Sequence, residues 1–267
     1  MDELKIALIQ SDIYWEDPEK NLASFSEIIA RQVHSPVDII FLPEMFNTGF
    51  SINHAKCAEE MNGISIQFLK EMARQRNCRM MTSLLIKEEN IWVNRQVTVT
   101  PDGLCHYSDK RHLFRLSEEY KFLHPGKNKI IEDIQRWNVL PLICYDLRFP
   151  VWSKNTCSAG KYEYDLLVYI SNWPSIRSNI WKSLLVARAI ENLSYVVGVN
   201  RIGCDGFGAE HTGDSMVIGP QGKILLAAEP GRSVVCEITL SMTELLKIRE
   251  SNPFGQDWDQ FNIKKKL

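Results

Sequence analysis

Residues 138–150 read NVLPLICYDLRFP, and the fold follows from how this stretch is read. An apolar run of strand length delivers one cysteine, Cys144, onto a short polar turn that carries Tyr145, Asp146 and Arg148. In α/β proteins, sites gather just beyond the carboxyl ends of strands. Cys144 is therefore either a small packed hydrophobe, as free cysteines usually are, or a nucleophile.

Outward from this strand the chain alternates. LKIALIQ (4–10) is a strand-length apolar run, and DPEKNLASFSEIIARQ (17–32) reads as a helix with Asp17 as N-cap and Pro18 at its first position. Its Leu22, Phe25, Ile28 and Ile29 recur at helical spacing. VDIIFLPEMF (37–46) reads as a buried strand ending at Pro43, which completes a βαβ unit. A helix over 65–77 leads to a strand at 79–86, then to a hairpin whose arms are IWVNRQVTVT and LCHYSDK around the turn PDG. After the Cys144 strand come a strand at 164–173, a helix at 179–194, the strand YVVGVN, a hairpin around GPQG, the strand SVVCEITL and a helix capped by Ser241. Hairpins interrupting βα alternation predict two mixed sheets packed face to face with helices outside, an α/β architecture rather than a simple doubly wound sheet. No linker rich in Gly, Ser or Pro divides residues 1–267, so one domain is expected.

Composition narrows the function classes. The 267 residues are 45% hydrophobic and 24% charged with a net charge of −2, which gives no reason to expect nucleic acid or an anionic membrane as partner. No apolar run reaches the length of a membrane span, and the acidic start MDELKIALIQSD does not read as a secretory signal. Seven scattered cysteines without C-x-x-C or zinc-site spacing predict a reduced, metal-free, cytoplasmic protein.

Three polar residues fall at three strand ends: Glu44 after DIIFLP, Lys110 after LCHYSD, and Cys144. Each has an ordinary structural reading alone, as a turn cap, a solvated lysine and a core thiol. Together they make chemical sense. A thiol near pKa 8.5 needs help to attack at neutral pH; a carboxylate beside it acts as general base; a lysine ammonium stabilises the oxyanion formed on a carbonyl. The backbone N–H of Tyr145 is a candidate second oxyanion donor. Cys–His catalysis through His106, His112, His124 or His211 stays open on sequence position.

FLPEMFNTGF, DKRHLF and LICYDLRFP, in that order, resemble the Glu–Lys–Cys motifs of the nitrilase superfamily of carbon–nitrogen hydrolases, and SNWPSIR, LLVARAIENLSYVVGVNRIG and GDSMVIGPQGKIL resemble its downstream blocks. The resemblance covers nearly the whole chain. It implies a four-layer α-β-β-α sandwich and roles for Glu44 as base, Lys110 at the tetrahedral intermediate and Cys144 as nucleophile, in a mechanism that needs no cofactor. A further glutamate before HPG is implied, Glu118 or Glu119, with Glu119 preferred on its spacing to Gly126. FLPEMFNTGF, KRHLF and CYDLRFPVWSKN are most similar to the omega-amidase branch, which implies hydrolysis of the distal amide of 2-oxoglutaramate or a related 2-oxo acid amide. A neighbouring activity on an N-carbamoyl or deaminated glutathione-like amide, or a non-catalytic thiol protein, are the other readings.

A substrate of this kind carries a carboxylate far from the scissile bond, so its pocket needs a cation or several N–H donors. Arg148 and Arg177 are the candidates, with Asn172 and Trp173 lining the pocket; an internal ion pair with Asp146 is the competing reading of Arg148. The resemblance also implies a homodimer, joined through VWSKNTCSAGKY and NIWKSLLVARAIENL, which carry Trp152, Trp181, Leu184 and Leu185. These same side chains would otherwise pack the protein's own helices.

Overall fold

The strand that ends at Cys144 runs Trp137–Ile143 and lies second from the edge of a six-stranded sheet in the computed structural model, which describes residues 2–264. Across this sheet the order is Ile224–Ala227, Met216–Ile218, Tyr195–Val199, Leu166–Ile170, Trp137–Ile143, Glu132–Ile134. A second six-stranded sheet has the order Val234–Ser241, Glu3–Gln10, Ile39–Phe41, Arg79–Glu88, Ile91–Val99, Cys105–Asp109. Both sheets are mixed: central parallel pairs come from βαβ crossovers, and antiparallel pairs come from hairpins.

Three apolar layers show how the sheets stack. Side chains alternate across a strand, and Leu4, Ile6 and Leu8 of the first strand join Val139, Val168, Ile170 and Val197 in one cluster between the sheets. Their alternates Ala7 and Ile9 meet Phe25, Ile28 and Ile29 of the helix Pro18–Gln32 and Ile66, Leu69 and Ala73 of the helix Ile64–Arg76. On the far side, Leu140, Leu142, Leu167 and Tyr169 meet Trp181, Leu185 and Ala189 of the helix Ser178–Asn192. Helix, sheet, sheet, helix is the expected sandwich. Asp17 caps its helix as expected, its side chain accepting from the Lys20 N–H at 3.2 Å ahead of Pro18. Ser241 does the same for the helix Met242–Ser251.

Two expectations are corrected. The strand expected from 37 to its end at Pro43 is regular only over Ile39–Phe41; Pro43 has no N–H to continue the ladder, and Met45 turns the chain at φ 46°. Trp152, Trp181 and Leu185 are not surface residues of the described protein but core, covering the outer face of the second sheet; Leu184 is half-buried against the same cluster.

Candidate active site

The catalytic candidates converge because of strand direction. Ile39–Phe41 runs parallel to Arg79–Glu88, and two antiparallel steps bring Cys105–Asp109 back to the same direction. Glu44 and Lys110 therefore leave the first sheet at one rim. In the second sheet Trp137–Ile143 and Leu166–Ile170 are parallel neighbours, so Cys144 and Asn172 also leave together. The two rims face each other.

At the junction, four buried side chains form one network. Lys110 Nζ donates to Glu44 Oε1 at 3.0 Å and to Glu119 Oε1 at 3.1 Å. The Asn94 amide repeats this bridge, donating to Glu44 Oε1 at 2.8 Å and to Glu119 Oε1 at 3.4 Å. The backbone N–H of Asn172 donates to Glu44 Oε2 at 2.8 Å, and the Phe114 N–H donates to Glu119 Oε2 at 2.5 Å. Glu44 and Glu119 are fully buried, as is the Lys110 side chain. Isolated buried charges are costly; these are paired and hydrogen-bonded on several sides, the condition under which buried ions persist.

The charges set proton affinities. Burial alone would lower the proton affinity of Lys110, but Glu119 and Glu44 outweigh it and hold the ammonium above the ordinary lysine range. Burial pushes the Glu119 carboxyl up, with Lys110 pulling it down. At Cys144, burial and the Glu44 carboxylate push the thiol well up against the opposing pull of Lys110. The Cys144 thiol also lies 3.8 Å from the Asn172 carbonyl oxygen.

Cys144 opens a short 3₁₀ turn, Cys144–Arg148, with φ 44°. A left-handed conformation at a residue with a Cβ costs about 1 kcal/mol or more and persists where the surroundings over-determine it. Here the turn places Cys144, half-buried as a residue, in the lining of a cavity of about 480 Å³. Phe50, Phe114, Tyr145, Trp173 and Phe207 give that cavity aromatic walls.

The structure resolves the choices open in sequence. Glu119, not Glu118, joins the network: Glu118 sits at φ 62°, exposed, and pairs with Lys121. Among the histidines, His211 lines the cavity, with Nδ1 near the Ala209 carbonyl, while His112 is bound to Asp146; Glu44 and Lys110 are the charged groups that act on the Cys144 thiol. Arg148 does not pair with Asp146, whose carboxylate is taken by His112 and by the Ile143 N–H. The Arg148 guanidinium lies over the Trp173 ring at 5.1 Å and that of Arg177 over Phe114 at 5.3 Å, both lining the cavity. Asn172 and Trp173 also line it, and Asn172 does more than expected: besides its N–H, its side-chain amide donates to the Glu44 carbonyl at 2.5 Å. Tyr145 lines the cavity beside Cys144, its ring edge-on to Phe114 and Phe149.

Sequence reasoning missed Asn94. It lies mid-strand in IWVNRQVTV, at the head of the polar run Asn94-Arg95-Gln96. Nothing local marks it as the residue that bridges two buried carboxylates.

Two facing mixed sheets clad in helices, with a glutamate–lysine–glutamate network at a cysteine turn, define a hydrolase of the nitrilase type. The Carbon-nitrogen hydrolase family model matches residues 5–248, and the chain belongs to this family as an omega-amidase-like member, a hydrolase of amide C–N bonds. It is 41% identical over 265 residues to Omega-amidase YafV of Escherichia coli (strain K12), covering 98% of this chain and 100% of that one. With 2-oxoglutaramate amidase of Bacillus subtilis (strain 168) it shares 29% identity over 256 residues, 94% and 96% of the two chains. The crystal structure of XC1258 from Xanthomonas campestris, a CN-hydrolase superfamily protein, superposes with a TM-score of 0.96 at 34% identity, over 99% of this chain and 100% of that one.

Proposed function

We propose that this protein hydrolyses the terminal amide of a small 2-oxo acid amide, 2-oxoglutaramate or a close analogue, through a thioester on Cys144. The observation that carries the reading is the pairing, in one cavity, of the Glu44–Lys110–Glu119 network at Cys144 with two arginines that form no ion pair with a carboxylate of the described residues. The acidic groups at the same cavity are otherwise engaged: Asp205 accepts from the Phe207 and Ala209 N–H groups at 2.9 Å each, and Glu118 pairs with Lys121.

In this reading Glu44 takes the Cys144 proton as sulfur attacks the amide carbon. The oxyanion is held by the Lys110 ammonium and the Tyr145 N–H, donors fixed in advance of the charge they meet. Collapse of the tetrahedral intermediate breaks the C–N bond, and ammonia leaves with the proton from Glu44. A water that gives its proton to Glu44 then attacks the thioester, releasing the acid and returning the proton to the thiol. Glu119 keeps Lys110 charged and in place. The names of the two relatives, omega-amidase and 2-oxoglutaramate amidase, support the same substrate class.

Ammonia release tests this directly. A charge-assisted hydrogen bond to the distal carboxylate contributes about 1.5–3 kcal/mol, so kcat/KM on 2-oxoglutaramate should exceed that on a neutral amide of equal length by roughly ten- to a hundred-fold. Equal rates would reject the 2-oxo acid amide and leave a general small-amide hydrolase, such as one acting on N-carbamoyl compounds.

A further inference from the structure

The segments that carry Lys110 and Cys144 come from different sheets, and one carboxylate joins them. Asp146, two residues past Cys144, is 1% exposed. Its Oδ1 accepts the main-chain N–H of His112 at 3.0 Å and lies 2.7 Å from His112 Nδ1, while Oδ2 accepts the Ile143 N–H at 3.2 Å. His112 is two residues past Lys110. The same imidazole is stacked on Phe149, at 3.7 Å between centroids and 8° between planes, and Phe149 follows the Cys144–Arg148 turn. The strap thus grips the lysine segment through two nitrogens and a ring face.

We infer that His112 and Asp146 are positioning residues that fix Lys110 against the Cys144 turn. The inference rests on the roles given above to Lys110 and Cys144. The upstream side of Lys110 is already secured, because its N–H donates to the Asn94 carbonyl at 2.8 Å and its carbonyl accepts from the Gly126 N–H at 2.8 Å. Gly126 approaches so closely that a Cβ there would lie 2.0 Å from the Asp109 carbonyl oxygen. Those contacts join Lys110 to its own sheet and its own loop. Among the described residues, the Asp146 bonds to His112 are the hydrogen bonds that tie the residues just past Lys110 to the nucleophile turn. Lys110 must sit where the oxyanion will form, and misplacement of a reacting group by about 1 Å can cost a hundred-fold.

Two substitutions separate the hydrogen bond from the stack. His112→Phe keeps an aromatic ring on Phe149 and removes the Nδ1 donor; His112→Asn places an amide donor near the Nδ1 position and removes the ring. Positioning through the bond predicts that His112→Phe lowers kcat by roughly ten- to a hundred-fold with KM for the amide unchanged, and that His112→Asn recovers most of the loss. The rate of Cys144 alkylation by iodoacetamide gives a second readout in folded protein. His112→Phe should slow it while Lys110 is present and leave it unchanged in a Lys110→Met background, since the strap then has no lysine to place. Asp146→Asn, which turns one acceptor into a donor, should behave as His112→Phe does, and it supplies the test if the phenylalanine variant does not fold. Loss of kcat equal in His112→Phe and His112→Asn, or the same fractional slowing of alkylation with and without Lys110, would overturn the inference. Failure of the parent mechanism looks different, because Cys144→Ser would then retain turnover.

Discussion

Asn172 holds Glu44 from two directions: its backbone N–H donates to the carboxylate at 2.8 Å and its side-chain amide donates to the Glu44 main-chain oxygen at 2.5 Å. These bonds cross the sandwich, since Glu44 follows a strand of one sheet and Asn172 follows a strand of the other. Trp173, next in the chain, is pinned in turn by Asn200, whose side chain accepts its N–H at 2.7 Å and donates to its carbonyl at 2.9 Å. Asn172→Ala leaves the Glu44 carbonyl without its buried donor, and an unsatisfied buried group costs about 1–3 kcal/mol. Denaturant unfolding should show that loss together with a lower kcat. An unchanged midpoint would mean that the carbonyl finds another donor.

Cys144→Ser should reduce amide turnover by roughly a hundred-fold or more, the scale of a lost catalytic group, with the far-UV circular dichroism of the parent. A hydroxyl is a far weaker acid than a thiol, and Glu44 alone cannot activate it well. Residual activity above about a hundredth of the parent rate would remove Cys144 from the role.

The two adjacent glutamates provide an internal control. Glu119→Gln removes one of the two carboxylates beside Lys110 and should lower kcat by about a hundred-fold. Glu118→Gln alters an exposed side chain paired with Lys121 and should stay within about two-fold, the scale of a surface change. Steady-state kinetics of the pair decide the assignment, and equal losses would contradict it.

Stability should carry a histidine signature on the acid side. Burial, with the Arg201 guanidinium adding to it, lowers His211 from 6.5 to about 4. As pH falls through 6.5 the unfolded chain takes up a proton that folded His211 resists until about pH 4. Unfolding is thereby favoured as pH drops across that window, and the stability present above it is lost by something on the order of 3 kcal/mol. The difference in unfolding free energy between parent and His211→Gln, measured from pH 7 to 4, should show this slope; a flat difference would mean that His211 titrates normally.

We further propose a homodimer. With Trp152, Trp181 and Leu185 committed to the core, the expected segments still expose Val151 at 55%, Ile180 at 39% and Ile190 at 51%. Sedimentation equilibrium at micromolar concentration should give twice the 30.8 kDa chain mass, and Ile190→Glu should shift it toward monomer. A monomeric parent protein would end the proposal.

The strands, helices and caps were legible in the sequence because their causes are local. The strand-length apolar run in LKIALIQ, the helical spacing of Phe25, Ile28 and Ile29, and Asp17 before Pro18 each act within a few residues. Glu44, Lys110 and Cys144 were legible as well, since each follows a strand and their residue types suit one reaction. Other decisions needed tertiary structure. Glu118 and Glu119 differ by one position, and the left-handed turn at Glu118 sends one to solvent and the other to Lys110. Asp146 and Arg148 looked like an ion pair in sequence, but a carboxylate that seats two main-chain donors and an imidazole from a distant loop outcompetes a guanidinium two residues away. Asn94 drew no notice in the sequence, since the two carboxylates that its amide bridges lie 50 and 25 residues away. The sequence left Trp181 and Leu185 of the helix Ser178–Asn192 open between a partner and the protein's own sheet; the stacking of layers decided for the sheet. A residue's neighbours along the chain fix its conformation, whereas its proton affinity and its partner are fixed by groups dozens of residues away.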